Sequence, residues 1–141
     1  MLMRRRLVVL GLSLVTALGV ASCGGTATAP VAGSTQFFAL VQPVEAAEVI
    51  ATSDVVVLDV RTPEEFQAGH LEGAVNVDFY AADFETQLDA LSKDVTYVVY
   101  CRSGNRSGQS IGLMEQLGFS SVYDVDGGIL EWVDDGLPLA G

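Results

Sequence analysis

The sequence predicts an α/β domain with an open, mostly parallel sheet and helices on both faces, and three observations predict it. Short β-branched and aromatic runs alternate with helix-forming segments from Phe37 onward, the pattern of parallel strands joined by crossover helices. Val55-Val56-Val57-Leu58 is apolar without interruption, as a strand covered on both faces must be. The residues richest in chemistry, Cys101 to Arg106, directly follow another such run. That is the carboxyl end of a strand, where sheets of this kind bind their ligands.

The elements follow in order. Phe37-Phe38-Ala39-Leu40 is expected as a short first strand. Pro43 suits the first turn of a helix running through Ile50, with Val44, Ala47 and Ile50 along one face. After the Val55 strand, Thr62-Pro63-Glu64-Glu65 starts a helix: a capping threonine, a first-turn proline, then acids that complement the dipole. Gly69 stops it. Ala74 to Val77 is expected as another short strand, and Phe84 to Leu91 as a helix with Phe84, Leu88 and Leu91 inward. Thr96-Tyr97-Val98-Val99-Tyr100 is a strand by its β-branched and aromatic content. A helix is predicted from Ser107 to Leu117, ended by Gly118. Val122 to Val125 is the last strand, and a terminal helix begins at Ile129 and carries Trp132.

Residues 1–36 have a different composition. Met1-Leu2-Met3-Arg4-Arg5-Arg6 is a basic start, and Leu7 to Val20 is an uncharged, apolar stretch. It is too short for the roughly 20 residues of a membrane span but suits a signal-peptide core. Val20-Ala21-Ser22-Cys23 resembles a bacterial lipobox, which implies cleavage before Cys23 and acylation of its sulfur. The alternative is a plain secretory signal with an incidental cysteine. The expected organisation is therefore a lipoprotein signal peptide over 1–22, a lipidated cysteine and flexible Gly/Ala/Thr/Ser/Pro tether over 23–36, and one domain over 37–141. The expected location is the outward face of a bacterial membrane, reached through a lipid anchor.

Charge narrows the partners. The chain holds 7 basic and 18 acidic residues, a formal charge of −11. Cleavage would remove three arginines and no acid, leaving 4 against 18, or −14. Such acidity argues against nucleic acid and against electrostatic attachment to anionic lipid. Two of the four remaining cations, Arg102 and Arg106, flank the cysteine loop. Cysteine usage is equally spare: with Cys23 acylated, Cys101 has no partner for a disulfide. One histidine and one free thiol fall short of a four-ligand metal set, so no metal and no cofactor is expected.

The loop Cys101-Arg102-Ser103-Gly104-Asn105-Arg106, with Ser107 behind it, carries the chemistry. Backbone N–H groups and the positive end of the following helix favour negative charge at the sulfur. Surroundings of this kind lower a cysteine from about 8.5 to roughly 3.5–7.5. Gly104 and Asn105 tolerate the positive φ angles of a tight loop. The plainer alternative, a core cysteine beside two solvated arginines, gives no reason for Arg-Ser-Gly-Asn-Arg after the strand.

Four segments in order make the pattern more than local: Leu58-Asp59-Val60-Arg61-Thr62-Pro63-Glu64-Glu65-Phe66, Gly69-His70-Leu71-Glu72-Gly73-Ala74-Val75-Asn76-Val77, the cysteine loop, and Gly127-Gly128 followed by Trp132. Over roughly residues 36–141 the chain resembles a single-domain rhodanese, a sulfurtransferase. The resemblance implies that Cys101 is the sulfur-carrying nucleophile. It implies a small sulfur-donor anion such as thiosulfate, and cyanide, a small thiol or a protein thiol as acceptor. Arg102, Ser103, Gly104, Asn105, Arg106 and Ser107 would form the substrate-binding loop, with Arg106 the better placed of the two arginines. Phosphatases of related fold have five residues between cysteine and arginine, whereas four separate Cys101 from Arg106. The tighter cradle suits one sulfur atom better than a phosphoryl group. The same loaded cysteine also fits a sulfur-delivery module that serves another envelope protein without turning over free donor. Phosphatase or arsenate reductase is the third reading. Asp59 and Arg61 are expected as an internal pair, His70 as a loop-holding residue, Trp132 as a core anchor, and Glu64 and Glu65 as first-turn acids.

Overall fold

The computed structural model describes residues 35–52 and 54–141. The leader, Cys23 and nearly all of the tether lie outside the described residues. Five strands and five helices alternate: β1 (Phe37–Val41), α1 (Pro43–Thr52), β2 (Val55–Asp59), α2 (Pro63–Gln67), β3 (Val75–Asn76), α3 (Phe84–Asp89), β4 (Thr96–Tyr100), α4 (Asn105–Gln116), β5 (Ser121–Val125) and α5 (Gly128–Asp134). The strands form one sheet in the order β1-β5-β4-β2-β3, and every pair is parallel. The α/β class with a parallel sheet is as the sequence predicts.

Helices cover both faces because the central strands are apolar on both. On one side Leu58, Tyr97, Val99 and Val122 pack with Phe84 and Leu88 of α3 and Met114 of α4. On the other, Val57, Val98, Tyr100 and Val125 pack with Ala46 of α1 and Ile129 and Trp132 of α5. Alternate residues of β4 serve the two layers, which is why four consecutive residues from Tyr97 to Tyr100 are almost completely buried. Trp132 is the core anchor expected of it, and its Nε1 donates to the Pro138 carbonyl at 2.9 Å.

Several boundaries differ from the sequence expectation by one or two residues, and three of them bear on the packing. The third strand has two residues rather than four, and beside it the Asn76 side chain donates to the carbonyls of Asp59 and Arg61. Helix α3 stops at Asp89, where Lys93 Nζ binds the carbonyls of Leu88 and Asp89 at 3.0 Å each and ends the helix two residues early. Helix α4 begins at Asn105, not Ser107. Gly104 alone makes the left-handed turn, at φ 89°, so Asn105 is already helical and needs no positive φ.

An internal ion pair ties the second strand to the loops above the sheet. Asp59 is fully buried at the end of β2, and Arg61 is 5 % exposed. Asp59 Oδ1 accepts from the Arg61 backbone N–H at 2.8 Å and from Nε at 3.0 Å, and Oδ2 accepts from Nη2 at 2.6 Å. Nη2 also donates to the Gly69 carbonyl at 2.7 Å, which holds the turn after α2. His70 pairs through its backbone with Ala140 and stacks its ring on Phe66 at 3.9 Å, the loop-holding role expected of it. Removing one member of a buried, hydrogen-bonded pair strands the other charge. Arg61→Ala is therefore expected to cost about 3–5 kcal/mol, read as a lowered denaturant midpoint.

Candidate active site

The site starts where β4 ends. The chain leaves Tyr100, passes through Cys101, and reverses over Arg102, Ser103 and Gly104 into α4. This reversal points backbone N–H groups at the cysteine sulfur. Gly104 N–H donates to Cys101 Sγ at 3.1 Å, and the Ser107 hydroxyl lies 3.6 Å from it. The residue is 1 % exposed. Burial pushes the thiol up, but the N–H groups of Ser107, Ser103 and Arg106 and the Ser107 hydroxyl outweigh it, so the group sits below its ordinary value. The acidified thiol deduced from the loop composition is thus built from main-chain dipoles.

A peptide whose N–H points inward turns its carbonyl outward, and those carbonyls need donors. Helix α5 supplies them. Ile129 N–H donates to the Cys101 carbonyl at 2.9 Å and Leu130 N–H to the Arg102 carbonyl at 3.2 Å. These are first-turn donors of a helix, without partners inside it. The approach is so close that a Cβ on Gly128 would meet the Cys101 carbonyl oxygen at 2.5 Å, and Gly128 has φ 61°. Both facts require glycine here, which explains half of the Gly127-Gly128 pair seen in the sequence.

The two arginines part ways. Arg106 donates through Nη1 and Nη2 to the two carboxylate oxygens of Glu65, at 2.6 and 2.8 Å, a bidentate pair. Its guanidinium carbon also lies 5.6 Å from the centre of the exposed Tyr80 ring. Arg102 is exposed and makes no ion pair among the described residues. The structure therefore engages the arginine that the sequence favoured for substrate and leaves the other free. Ser103 and Asn105 are exposed, and Ser107 is buried against the sulfur.

Glu65 was missed as a site residue. Its spacing to Thr62 marks it as a capping-box acid, and it does cap: its carboxylate accepts from Thr62 N–H at 3.1 Å. The same carboxylate carries Arg106 across 41 positions of sequence, for which no local signal exists. Asp124, buried on β5 behind Ser107, was missed as well.

The Glu65–Arg106 pair makes acid sensitivity a property of the loop. Arg106 holds the Glu65 carboxyl at about 2, against an ordinary 4.5. The pair's contribution to stability is therefore complete above about pH 4.5 and is lost as pH falls through about 2. Glu65→Gln is expected to lower the denaturant midpoint at neutral pH and to flatten its fall over that acid range.

Comparison with known proteins agrees with this geometry. Residues 42–135 match the model of the rhodanese-like domain. A sulfurtransferase of Allochromatium vinosum is 35% identical over 88 residues, covering 62% of this chain and 80% of that protein. The thiosulfate sulfurtransferase GlpE of Pseudomonas putida is 38% identical over 96 residues, covering 67% and 84%. Among solved structures, a rhodanese-related protein of Thermoplasma volcanium superposes with a TM-score of 0.64 at 31% identity, covering 71% of this chain and 95% of that one.

Proposed function

The chain belongs to the rhodanese-like domain family, and from that premise we propose that it moves a sulfane sulfur from thiosulfate or a persulfide to a thiophilic acceptor through a persulfide on Cys101. Its relatives are sulfurtransferases. The observation that carries the reading is the ring of N–H groups around Cys101 Sγ, which favours negative charge at one buried sulfur.

The steps follow from that ring. The Cys101 thiolate attacks the outer sulfur of thiosulfate, the sulfur–sulfur bond of the donor breaks, and sulfite leaves with the bonding pair. The terminal sulfur of the persulfide then passes to cyanide, a small thiol or a protein thiol, and the cysteine leaves as thiolate. This is covalent catalysis by an activated nucleophile in two half-reactions. The loop's N–H groups favour the ionised form of the attacking sulfur, which then needs no general base, and sulfite is a stable leaving anion. Arg102, uncommitted at the mouth of the loop, receives the sulfonate end of the donor. Arg106 shapes the loop through Glu65.

The proposal includes location. Lipidation of Cys23 would hold the domain on the outward face of a bacterial membrane, supported by the basic start, the uncharged stretch and the lipobox-like Val20-Ala21-Ser22-Cys23. Among the described residues no helix is long and apolar enough to cross a membrane. There the acceptor could be a protein thiol of the envelope, and the domain a carrier rather than a high-turnover enzyme.

One experiment tests the central step. A chain with Cys23→Ser keeps Cys101 as its single thiol, and on exposure to thiosulfate its intact mass is expected to rise by one sulfur atom. The further change Cys101→Ser should abolish the gain. No gain from thiosulfate, polysulfide or another persulfide would sink the proposal, and slow turnover with fast discharge to a protein thiol would mark the carrier. Arg102→Ala is expected to raise KM for thiosulfate about tenfold, the scale of one hydrogen bond to a charged group, with a smaller effect on kcat.

A further inference from the structure

Behind the reactive sulfur lies a carboxyl group that the sulfur-transfer steps do not use. Asp124, the penultimate residue of β5, is 7 % exposed, and its Oδ1 has no hydrogen-bond partner. Buried carboxylate oxygens are normally paired, so this one needs an explanation. The side chain interacting with it is Ser107, the residue whose hydroxyl stands 3.6 Å from Cys101 Sγ and 3.2 Å from the Gly104 carbonyl. Ser107 is itself fully buried. A hydroxyl has one hydrogen to donate; the sulfur and the Gly104 carbonyl stand within its reach, and the Asp124 carboxyl is the third group that interacts with it.

We propose that Asp124 is a positioning residue for Cys101, steering the Ser107 hydroxyl toward the sulfur when its carboxyl is protonated and away from it when ionised. The protonated carboxyl donates to Ser107 Oγ, and the serine hydrogen is left for the sulfur. On ionisation the carboxyl proton goes to solvent and the serine hydrogen turns to the carboxylate. The sulfur loses a donor and gains a negative neighbour, and both changes make its thiolate more basic.

The surroundings suit a group that changes charge. Burial and the nearby Asp126 push the Asp124 carboxyl up to about 6, against the opposing pull of Ser107. Asp126 is held by Gln42 Nε2 at 3.1 Å. The elements packed against Asp124 bring few other titratable groups: Cys101 follows β4, Val99 pairs with Asp124 in the sheet, and β1 offers only Phe38, Ala39 and Leu40. Arg106, next to Ser107 on α4, is turned to Glu65. A groove of about 330 Å³ between β1, β5 and α4 reaches the carboxyl and gives its proton a way out. A Cβ on Gly108, in the wall of this groove, would stand 3.8 Å from Asp124 Oδ2.

The functional meaning rests on the sulfur-transfer reading: when the persulfide discharges, Cys101 Sγ is the leaving atom, and a donated hydrogen bond from Ser107 eases its departure. Protonation of Asp124 thus favours release of sulfur. The test does not depend on transfer. In the Cys23→Ser chain, the rate of Cys101 alkylation by iodoacetamide is followed from about pH 4.5 to 9. Two coupled midpoints are expected, belonging to the Asp124–Cys101 pair rather than to either group. Asp124→Asn, which keeps shape and can donate to Ser107, should leave a single midpoint, lower than the upper one by about half a pH unit or more. In a Ser107→Ala background the same Asn change should move the midpoint several-fold less, because the relay is already cut. An equal shift with and without Ser107 would reduce Asp124 to a through-space charge, and no shift in either background would remove it from the site; each overturns the proposal. The two-midpoint profile is read on the chain with native Asp124, so a misfolded variant does not shelter the idea, and a single midpoint there also overturns it. A failure to load sulfur from thiosulfate alongside a two-midpoint profile would sink the transfer reading and leave the relay standing.

Discussion

Peptide planarity is the constraint on which this structure turns. N–H groups can converge on Cys101 Sγ only if the carbonyls of the same loop face outward, and outward-facing carbonyls within a protein must find donors. The first turn of α5 meets that need at Cys101 and Arg102. Much else follows. Helix α5 must lie within hydrogen-bonding distance of the loop, so Gly128 must lack a side chain. For α5 to start there, β5 must run beside β4 and end at its level, as the register from Thr96–Ser121 to Val99–Asp124 provides. Ile129 and Trp132 then clamp the helix to the sheet.

Charge is handled with equal restraint. The described residues include Arg61 and Arg106, each with its guanidinium held by one carboxylate, Asp59 and Glu65. Pairing makes them structural struts whose field is largely cancelled at a distance. Arg102 is left as the loop's uncompensated cation. In so acidic a chain the negative charge favoured at Cys101 thus rests mainly on main-chain dipoles. Dipoles fixed by the fold need no reorganisation when charge develops on sulfur.

The sheet and the reactive loop were legible in the sequence because their signals are local. A continuous apolar run, a capping threonine before proline and a cysteine after a strand each declare themselves within a few residues. The Asp59–Arg61 pair was legible for the same reason, two positions apart at a strand end. Helix α4 was misjudged by two residues because a single glycine proved enough to turn the chain, so Asn105 was needed for the helix and not for the turn. Arg106 was harder. Its partner lies 41 positions away on α2, and only the assembled sheet brings that helix over the loop. Asp124 hid for the opposite reason: in Val122-Tyr123-Asp124-Val125 an acid in an apolar strand resembles a solvent-facing residue, and only the packing of α4 buries it.

The edge strand β1 has a single neighbour, β5, and Phe37 pairs with Ser121, 84 positions further along the chain. Pairing of such sequence separation is slow, since the intervening loop must close before any contact rewards it. During synthesis the first strand finds no partner until almost the last of the domain has emerged. The connectivity that seats the cysteine loop beside α5 thus also sets the moment at which folding can finish.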